Sequence, residues 1–248
     1  MSVRANIDPL DWESDFFKRS TAKLDFAATD AQIILSYQLD KYEIVQAKVA
    51  ASDTARIDDL AGMGFSFVEG EIDFALTIGT ENAYLNTALS EVEAMSVAVA
   101  QTEDIVSLRE TAAAVFSNSR FRAPWYHEGD SGRFYALWIE KAVLGTFDHT
   151  CLLLRDNAGD ILGFVSLRSL DADTARIGLL AATPSATGRG IGRKLMSAAY
   201  QWCVQHQKRQ LNVATQMSNV AALNLYSRSG AAIASTAYWL YRGQHDSI

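Results

Sequence analysis

Three glycines spaced two apart, Gly188, Gly190 and Gly192, stand where a loop runs into a helix, and this junction constrains the fold more than any other segment. The stretch "TPSATGRGIGRKLM", residues 183–196, continues through Ile191, Leu195, Ala199 and Trp202, an apolar set at helical spacing. A helix start carries unpaired main-chain N–H groups and the positive end of the helix dipole. A glycine loop placed there can therefore hold an anion through the backbone alone. The spacing is not the G-x-G-x-x-G of a dinucleotide fold following a first strand. Nor is it a Walker loop, because Gly192 is followed by Arg193 and Lys194 instead of Lys and then Ser or Thr. The plain alternative is a helix start with incidental glycines.

The segments around the loop supply its context. Upstream lie three strand patterns in quick succession, "HTCLLLRD", "DILGFVSLRSL" and "TARIGLLAA", separated by turn residues at 157–160 and 171–173, as in an antiparallel meander. Downstream come a strand "RQLNVATQ", a helix over 219–229 and a terminal strand region "AAIASTAYWLYR". The N-terminal part reads as a strand "YEIVQAKVA", a helix from about 53 to 62, the turn "GMG" and a strand from "FSFVEG" into "EIDFALTI". Residues 80–96 have mixed polarity and no strand pattern, so a connector, with a helical turn, is expected there. A boundary at the connector divides an N-terminal unit, 1–90, from a second domain, 96–248. That second domain opens with a short strand "VAVA", a helix after "TEDI", the loop "NSRFRAPWYHEGDSG" and a helix over 131–144. The fold class is α/β (α+β), a mixed central sheet with flanking helices.

One internal likeness links the two parts. "SDTARIDDLAGMGF", residues 52–65, lies without a gap on "SNVAALNLYSRSGA", residues 218–231, with Asp53 over Asn219, Ile57 over Leu223, Leu60 over Tyr226 and Gly64 over Gly230. Both follow a strand and precede another. The N-terminal unit then reads as a degenerate copy of the C-terminal half, against the alternative that helix caps and terminal glycines recur in unrelated helices.

Composition narrows the partners. The 248 residues are 49% hydrophobic and 21% charged, enough for a sizeable core. A net charge of −7 argues against a broad nucleic-acid or membrane surface, so any phosphate is held locally. Cys151 and Cys203 have neither the spacing of a zinc site nor that of a disulfide framework, which leaves no metal site in the reading and suits a reducing cytoplasm. The start, "MSVRANIDPLDWESDFF", has no apolar signal core, and no run approaches 18 apolar residues; a soluble cytoplasmic protein is expected, and a homodimer is allowed.

The succession of meander, "ATGRGIGRKLM", strand and "NVAALNLYSRSG" resembles the GNAT superfamily of N-acetyltransferases. The superfamily pattern Q/R-x-x-G-x-G/A falls on Thr187-Gly188-Arg189-Gly190-Ile191-Gly192, with threonine replacing the usual first residue, and runs on into Arg193. A second signature, N-x-x-A-x-x-L-Y-x-x-x-G, is met at Asn219, Ala222, Leu225, Tyr226 and Gly230. The resemblance implies that the loop cradles the pyrophosphate of acetyl-CoA as cosubstrate. Segments such as "SVRANIDPL", "GFSFVEGEID", "SRFRAPWY", "SGRFYALWIE" and "STAYWLYR" resemble, across nearly the whole chain, the members that act on sugar nucleotides. They imply acetylation of the 4-amino group of a dTDP-linked 4-amino-4,6-dideoxy sugar, for enterobacterial common antigen synthesis.

Amine attack on a thioester needs a neutral amine, a stabilised oxyanion and a proton for the departing thiolate. Tyr226, seven residues after Asn219 and so on nearly the same helix face, is the candidate acid; its plain alternative is a packed aromatic. Asn219 is a cofactor contact or simply a helix cap. The resemblance implies an oxyanion donor on the main chain near Leu179, Leu180 and Ala181, where the family splays a strand. It also implies Glu69, in "VEGEID", as a base acting through water; a solvated strand-end acid is the alternative. His127, His149, His206 and His245 read as surface or structural residues. Arg120, Arg122 and Arg133, interleaved with Trp125 and Tyr126, suit the diphosphate and base of a sugar nucleotide, and equally suit arginines lying along core aromatics. A route through an acetylated cysteine is disfavoured, since neither cysteine lies in an activating motif.

Overall fold

The computed structural model describes residues 3–79, 82, 84–86, 95–117 and 119–243. They form one 11-stranded sheet with helices on both faces. No element is signalled by the sequence before Tyr42, yet the structure has five there: β1 (Arg4–Pro9), α1 (Asp11–Phe17), β2 (Thr21–Asp25), β3 (Gln32–Ile33) and α2 (Ser36–Leu39). Each is seven residues or shorter, too short for periodicity to stand out. The elements read from the sequence follow as β4 (Ile44–Ala50), α3 (Thr54–Gly62) and β5 (Ser66–Thr77). The connector region lies partly outside the described residues; within it residues 84–86 are helical. Then come β6 (Met95–Val99), α4 (Ile105–Val115), α5 (Asp130–Val143), and the meander β7 (Thr150–Asp156), β8 (Ile161–Ser169) and β9 (Thr174–Ala182). The glycine loop leads into α6 (Ile191–Gln205), followed by β10 (Gln210–Gln216), α7 (Val220–Arg228) and β11 (Ala232–Gly243). Among the described residues no helix is long and apolar enough to cross a membrane.

The order across the sheet is β3-β1-β2-β4-β11-β5-β10-β9-β8-β7-β6, so the last strand lies between two strands of the N-terminal part. β11 pairs antiparallel with β4 from Ala237↔Ala50 to Gly243↔Ile44 and with β5 from Ala232↔Ala75 to Tyr241↔Ser66. The likeness between residues 52–65 and 218–231 extends into this register. Adding 166 to one number and subtracting it from the other turns Ser66↔Tyr241 into Ala232↔Ala75 and Gly70↔Tyr238 into Thr236↔Ile72, while Glu71↔Ala237 maps onto itself. The outer pairs obey the same rule, Ile44↔Gly243 becoming Gln210↔Thr77. Both helices also start and stop alike. Asp53 caps α3 by accepting from the Arg56 N–H, Asn219 caps α7 by accepting from the Ala222 N–H, and Gly64 and Gly230 each take φ +85° beyond the helix end. A two-fold pseudo-axis thus passes between β5 and β11, and the two strand-helix-strand units interlock across it.

Helices cover the faces unequally. On one face α6 packs Leu195, Met196, Ala199 and Cys203 onto the meander strands, where Gly163 lets it approach: a Cβ there would stand 2.6 Å from the Ala181 carbonyl and 2.9 Å from Ile191. On the opposite face α4 and α5 bury Leu108, Ala112, Ile139 and Ala142 against Cys151, Leu153 and Phe164. α3 seals the N-terminal end with Leu60 among Val45, Val49 and Phe65. Burial of these apolar side chains holds the layers together, with about 1.5–3 kcal/mol from each large one such as Leu195, Leu108, Ile139 or Phe164.

The interlocking makes the N-terminal residues part of the fold. A chain beginning at Ser96 lacks β4 and β5, the two partners of β11, and leaves β10 joined only to β9. Such a chain is expected to lose cooperative unfolding in a denaturant titration followed by circular dichroism; a sharp transition with native near-ultraviolet signal would contradict this.

Candidate active site

Strand β10 runs parallel to β9 and pairs with it at only four positions, from Gln210↔Thr174 to Val213↔Ile177. Beyond them the strands part, because β10 continues beside β5 as far as Gln216↔Glu71 while β9 stays with β8 as far as Ala182↔Gly163. The gap is a cleft of about 610 Å³ bounded by Gly178 to Ala182 on β9, Val213 to Thr215 on β10, the glycine loop, and one face of α7. Most of the residues the sequence assigns to acetyl-CoA come together here: Leu179, Leu180, Ala181, Thr187, Gly188, Gly190, Ile191, Gly192, Arg193, Asn219 and Leu225, with Tyr226.

The glycine loop owes its shape to its residues. Gly188 and Gly190 take φ +80° and +73°, in the left-handed region that residues with a Cβ avoid. A Cβ on Gly192 would lie 3.0 Å from Leu225, so this glycine sets how closely α6 and α7 approach. No acceptor among the described residues takes the main-chain N–H of Gly188, Gly190, Ile191 or Gly192; the first helical bond is Lys194 N–H to the Gly190 carbonyl. Together with the helix dipole these groups form a cradle for a phosphate. Side chains around it point elsewhere. The Thr187 hydroxyl donates to the Thr183 carbonyl at 3.3 Å, Arg189 is exposed and does not line the cleft, and Arg193 donates twice to the Tyr84 carbonyl, at 2.9 and 2.7 Å, with its guanidinium 4.4 Å from the Tyr84 ring. Tyr84 and Phe116, which no sequence pattern singles out, also line the cleft.

Tyr226 projects from α7 with 5% of its surface exposed and its ring edge-on to Phe74, centroids 5.6 Å apart. Burial raises the pKa of its hydroxyl well above that of a free phenol, so the proton stays on. Asn219 is a cap, its Oδ1 accepting from the Ala222 N–H at 3.1 Å, and also a cleft residue.

The three main-chain positions on β9 are not equivalent. The Leu179 N–H donates to Ser166 Oγ at 2.9 Å and the Thr183 N–H donates to the Leu162 carbonyl at 2.9 Å, both toward β8. Since successive N–H groups of a strand alternate in direction, Ala181 also faces β8 and Leu180 faces the edge that β10 has left. Of the three, Leu180 presents its N–H to the cleft.

Other assignments fall outside it. Glu69 lies on β5 at an irregularity in the pairing with β11; its Oε1 accepts from the Gly70 N–H at 2.9 Å and its Oε2 from Ser218 Oγ at 3.4 Å, next to the cleft residue Asn219. Trp125 and Tyr126, 3% and 2% exposed, belong to an aromatic core with Phe17, Phe121 and Tyr241 and offer no ring face to a ligand. Arg120, half-buried, packs with them. Its guanidinium lies 4.2 Å from the Phe121 centroid and 4.1 Å from that of Trp239, and donates to Gln46 Oε1 at 3.0 Å and to the Tyr241 hydroxyl. Arg133 is paired to Asp130 at 2.7 Å over the Phe16 ring, and exposed Arg122 donates to the Val68 and Ala123 carbonyls at 3.1 and 2.9 Å. His127, His149 and His206 do not line the cleft; His245 lies outside the described residues.

Residues 110–231 match the acetyltransferase (GNAT) family, and the chain is 50% identical over 242 residues to dTDP-fucosamine acetyltransferase of Escherichia coli O6:H1, covering 98% of this chain and all of that one. The chain belongs to the GNAT family of acetyltransferases. Among solved structures the acetyltransferase matches a GCN5-related N-acetyltransferase from Sphaerobacter thermophilus, with a TM-score of 0.57 and 16% identity over 80% of this chain and 59% of that one. It also matches a tandem GNAT protein from the clavulanic acid pathway, with a TM-score of 0.57 and 13% identity over 89% of this chain and 74% of that one. These two likenesses concern the fold.

The GNAT family uses acetyl-CoA as cosubstrate, and the cradle of N–H groups at Gly188 to Gly192 fits its pyrophosphate. Gly190→Asp puts a Cβ on a residue at φ +73° and a negative charge beside that cradle. Calorimetric titration with acetyl-CoA is expected to show binding abolished, and unchanged affinity would remove the phosphate role.

Proposed function

We propose that this acetyltransferase moves the acetyl group of acetyl-CoA directly onto the 4-amino group of a dTDP-linked 4-amino-4,6-dideoxy sugar, dTDP-fucosamine. The observation that carries the reading is the 50% identity with a dTDP-fucosamine acetyltransferase over 98% of the chain, which extends through the N-terminal residues as well as the cleft. In this reading Leu180 N–H meets the oxygen of the thioester carbonyl as charge develops on it, and Tyr226 gives its proton to the leaving sulfur. Burial keeps the Tyr226 phenol protonated at pH values where an amine nucleophile is already neutral.

Glu69 is the base, taking the amine proton through water. Of the three carboxylates along β5, Glu71 is engaged by Lys48 and the Trp239 indole N–H, and Asp73 by Lys48, Arg176 and Ser235, whereas no cation pairs with Glu69 among the described residues. A carboxylate held by cations is a poor proton acceptor. Residues 1–90 thus contribute to the acceptor site through Glu69. Arg122 is the arginine for the acceptor's diphosphate, since it is exposed and anchored to the carbonyl of Val68, one residue before Glu69. Transfer is direct because Cys151 and Cys203 are both buried in apolar clusters and burial raises both thiol pKa values, that of Cys203 to about 12.

The acceptor is tested by following thiol release from acetyl-CoA with dTDP-4-amino-4,6-dideoxy sugars, free amino sugars and a peptide panel. Turnover is expected with the sugar nucleotides alone; preferred peptide turnover would overturn the assignment. Tyr226→Phe is expected to keep affinity for both substrates and to lower turnover by about 10²- to 10⁴-fold, the contribution of one acid catalyst. Arg122→Ala is expected to raise the KM for the sugar nucleotide by about 10- to 100-fold, the loss of a charge-assisted hydrogen bond, while leaving acetyl-CoA affinity as it was.

A further inference from the structure

The parting of β9 from β10 coincides with an irregularity in β9 itself. Between Val165↔Leu180 and Leu167↔Ile177, the single residue Ser166 stands opposite two, Gly178 and Leu179. This bulge turns the strand over: Ala175 and Ile177 pack on the α6 face, whereas Leu179 and Ala181, of the same parity, pack on the α4 and α5 face. It therefore also decides which N–H groups point to the cleft.

Beneath the bulge lies a carboxylate that nothing in the proposed chemistry uses. Asp148 is fully buried. Its Oδ2 accepts from Ser166 Oγ at 2.6 Å and from the Trp138 indole N–H at 3.0 Å. Among the described residues its Oδ1 has no hydrogen-bond partner; the Arg168 Nε lies 3.8 Å away and is itself without one. Ser166 uses its one proton toward Asp148 and accepts from the Leu179 N–H with the same oxygen, so the orientation of the hydroxyl is imposed. Gly178 is required by the same packing, because a Cβ there would stand 2.2 Å from Asp148 Oδ2 and 2.8 Å from Ser166 Oγ. A buried carboxylate with an unmet oxygen is destabilising in itself, so its retention calls for a physical explanation.

We propose that Asp148 and Ser166 are positioning residues for the oxyanion donor. The carboxylate locks the serine hydroxyl, the hydroxyl takes the Leu179 N–H out of the regular ladder, and the next N–H, that of Leu180, is thereby aimed into the cleft. Neither side chain lines the cleft. The inference rests on the reading of the cleft as the acetyl-CoA site and is independent of the acceptor.

The test reads the thioester carbonyl directly. Acetyl-CoA labelled with carbon-13 at the carbonyl is bound to the 248-residue chain, and its C=O stretching frequency is compared with that in solution. The wild type is expected to lower the frequency, as a hydrogen bond to the oxygen does. Ser166→Ala is expected to return it toward the solution value with CoA affinity retained, since the pyrophosphate cradle lies on another element, and to reduce turnover by about 10- to 100-fold, as misplacement of a catalytic group does. Asp148→Asn, which keeps an oxygen toward Ser166 and Trp138, is expected to preserve the lowered frequency, whereas a purely structural role predicts no difference in frequency among the variants. A bound wild-type carbonyl at the solution frequency, or an equally lowered one in Ser166→Ala, overturns the proposal. A wild type that does not bind acetyl-CoA overturns instead the reading of the cleft on which the proposal rests, and the proposal with it.

Discussion

Two parallel strands that stay hydrogen-bonded for four positions and then diverge leave a row of unpaired N–H and C=O groups on facing edges, a costly arrangement inside a protein unless something takes up those bonds. In this acetyltransferase the divergence is enforced from both sides, since β9 is bound to β8 and β10 to β5 well past the point of separation. The cleft that the Leu180 N–H faces, between the glycine loop and α7, depends on that separation. An extended ligand entering the gap can satisfy the exposed edge in the manner of an added strand.

The same arrangement is echoed on the far side of the pseudo-axis. β2 pairs in parallel with β4 only from Thr21↔Ile44 to Lys23↔Gln46, as β9 does with β10, and α3 stands where α7 does. There the chemistry is missing. Leu60 replaces Tyr226, no glycine loop follows β2, and Phe26 and Ile57 pack onto the core of that end. The N-terminal unit keeps the backbone plan of a half-site whose interior is filled with apolar side chains, and it serves the sheet by gripping β11 on both edges.

The segment between α4 and α5 shows how alike two uses of one composition look in sequence. Arginine beside aromatic residues suits a nucleotide and suits a core equally well. Burial separates them here: Trp125, Tyr126 and Arg120 close a polar-aromatic cluster around Gln46 and Tyr241, while Arg122 keeps its guanidinium at the surface beside the strand that carries Glu69. Nothing in the local sequence distinguishes Arg120 from Arg122, because the distinction comes from strands β4 and β11, 74 and 121 residues away along the chain.

The sequence by itself determined what local chemistry can determine. Glycines at 188, 190 and 192 dictate a loop with free N–H groups at a helix start, Asn219 and Gly230 dictate the limits of α7, and the spacing of Asn219 and Tyr226 places both on the cleft side of that helix. The repeat of a capped helix ending in glycine was legible too, because caps and positive-φ residues are local requirements. What only the tertiary structure decided are matters of long-range pairing: that β11 enters between β4 and β5, that β9 carries a bulge opposite Ser166, and that Leu180 and not its neighbours faces the cleft. Strand order and register are set by hydrogen bonds between residues far apart in the chain, and a bulge by the partner strand and the buried group beneath it. Neither leaves a periodic trace in the strand that carries it: the buried residues of β9 alternate without a break through the bulge that reverses the face they occupy.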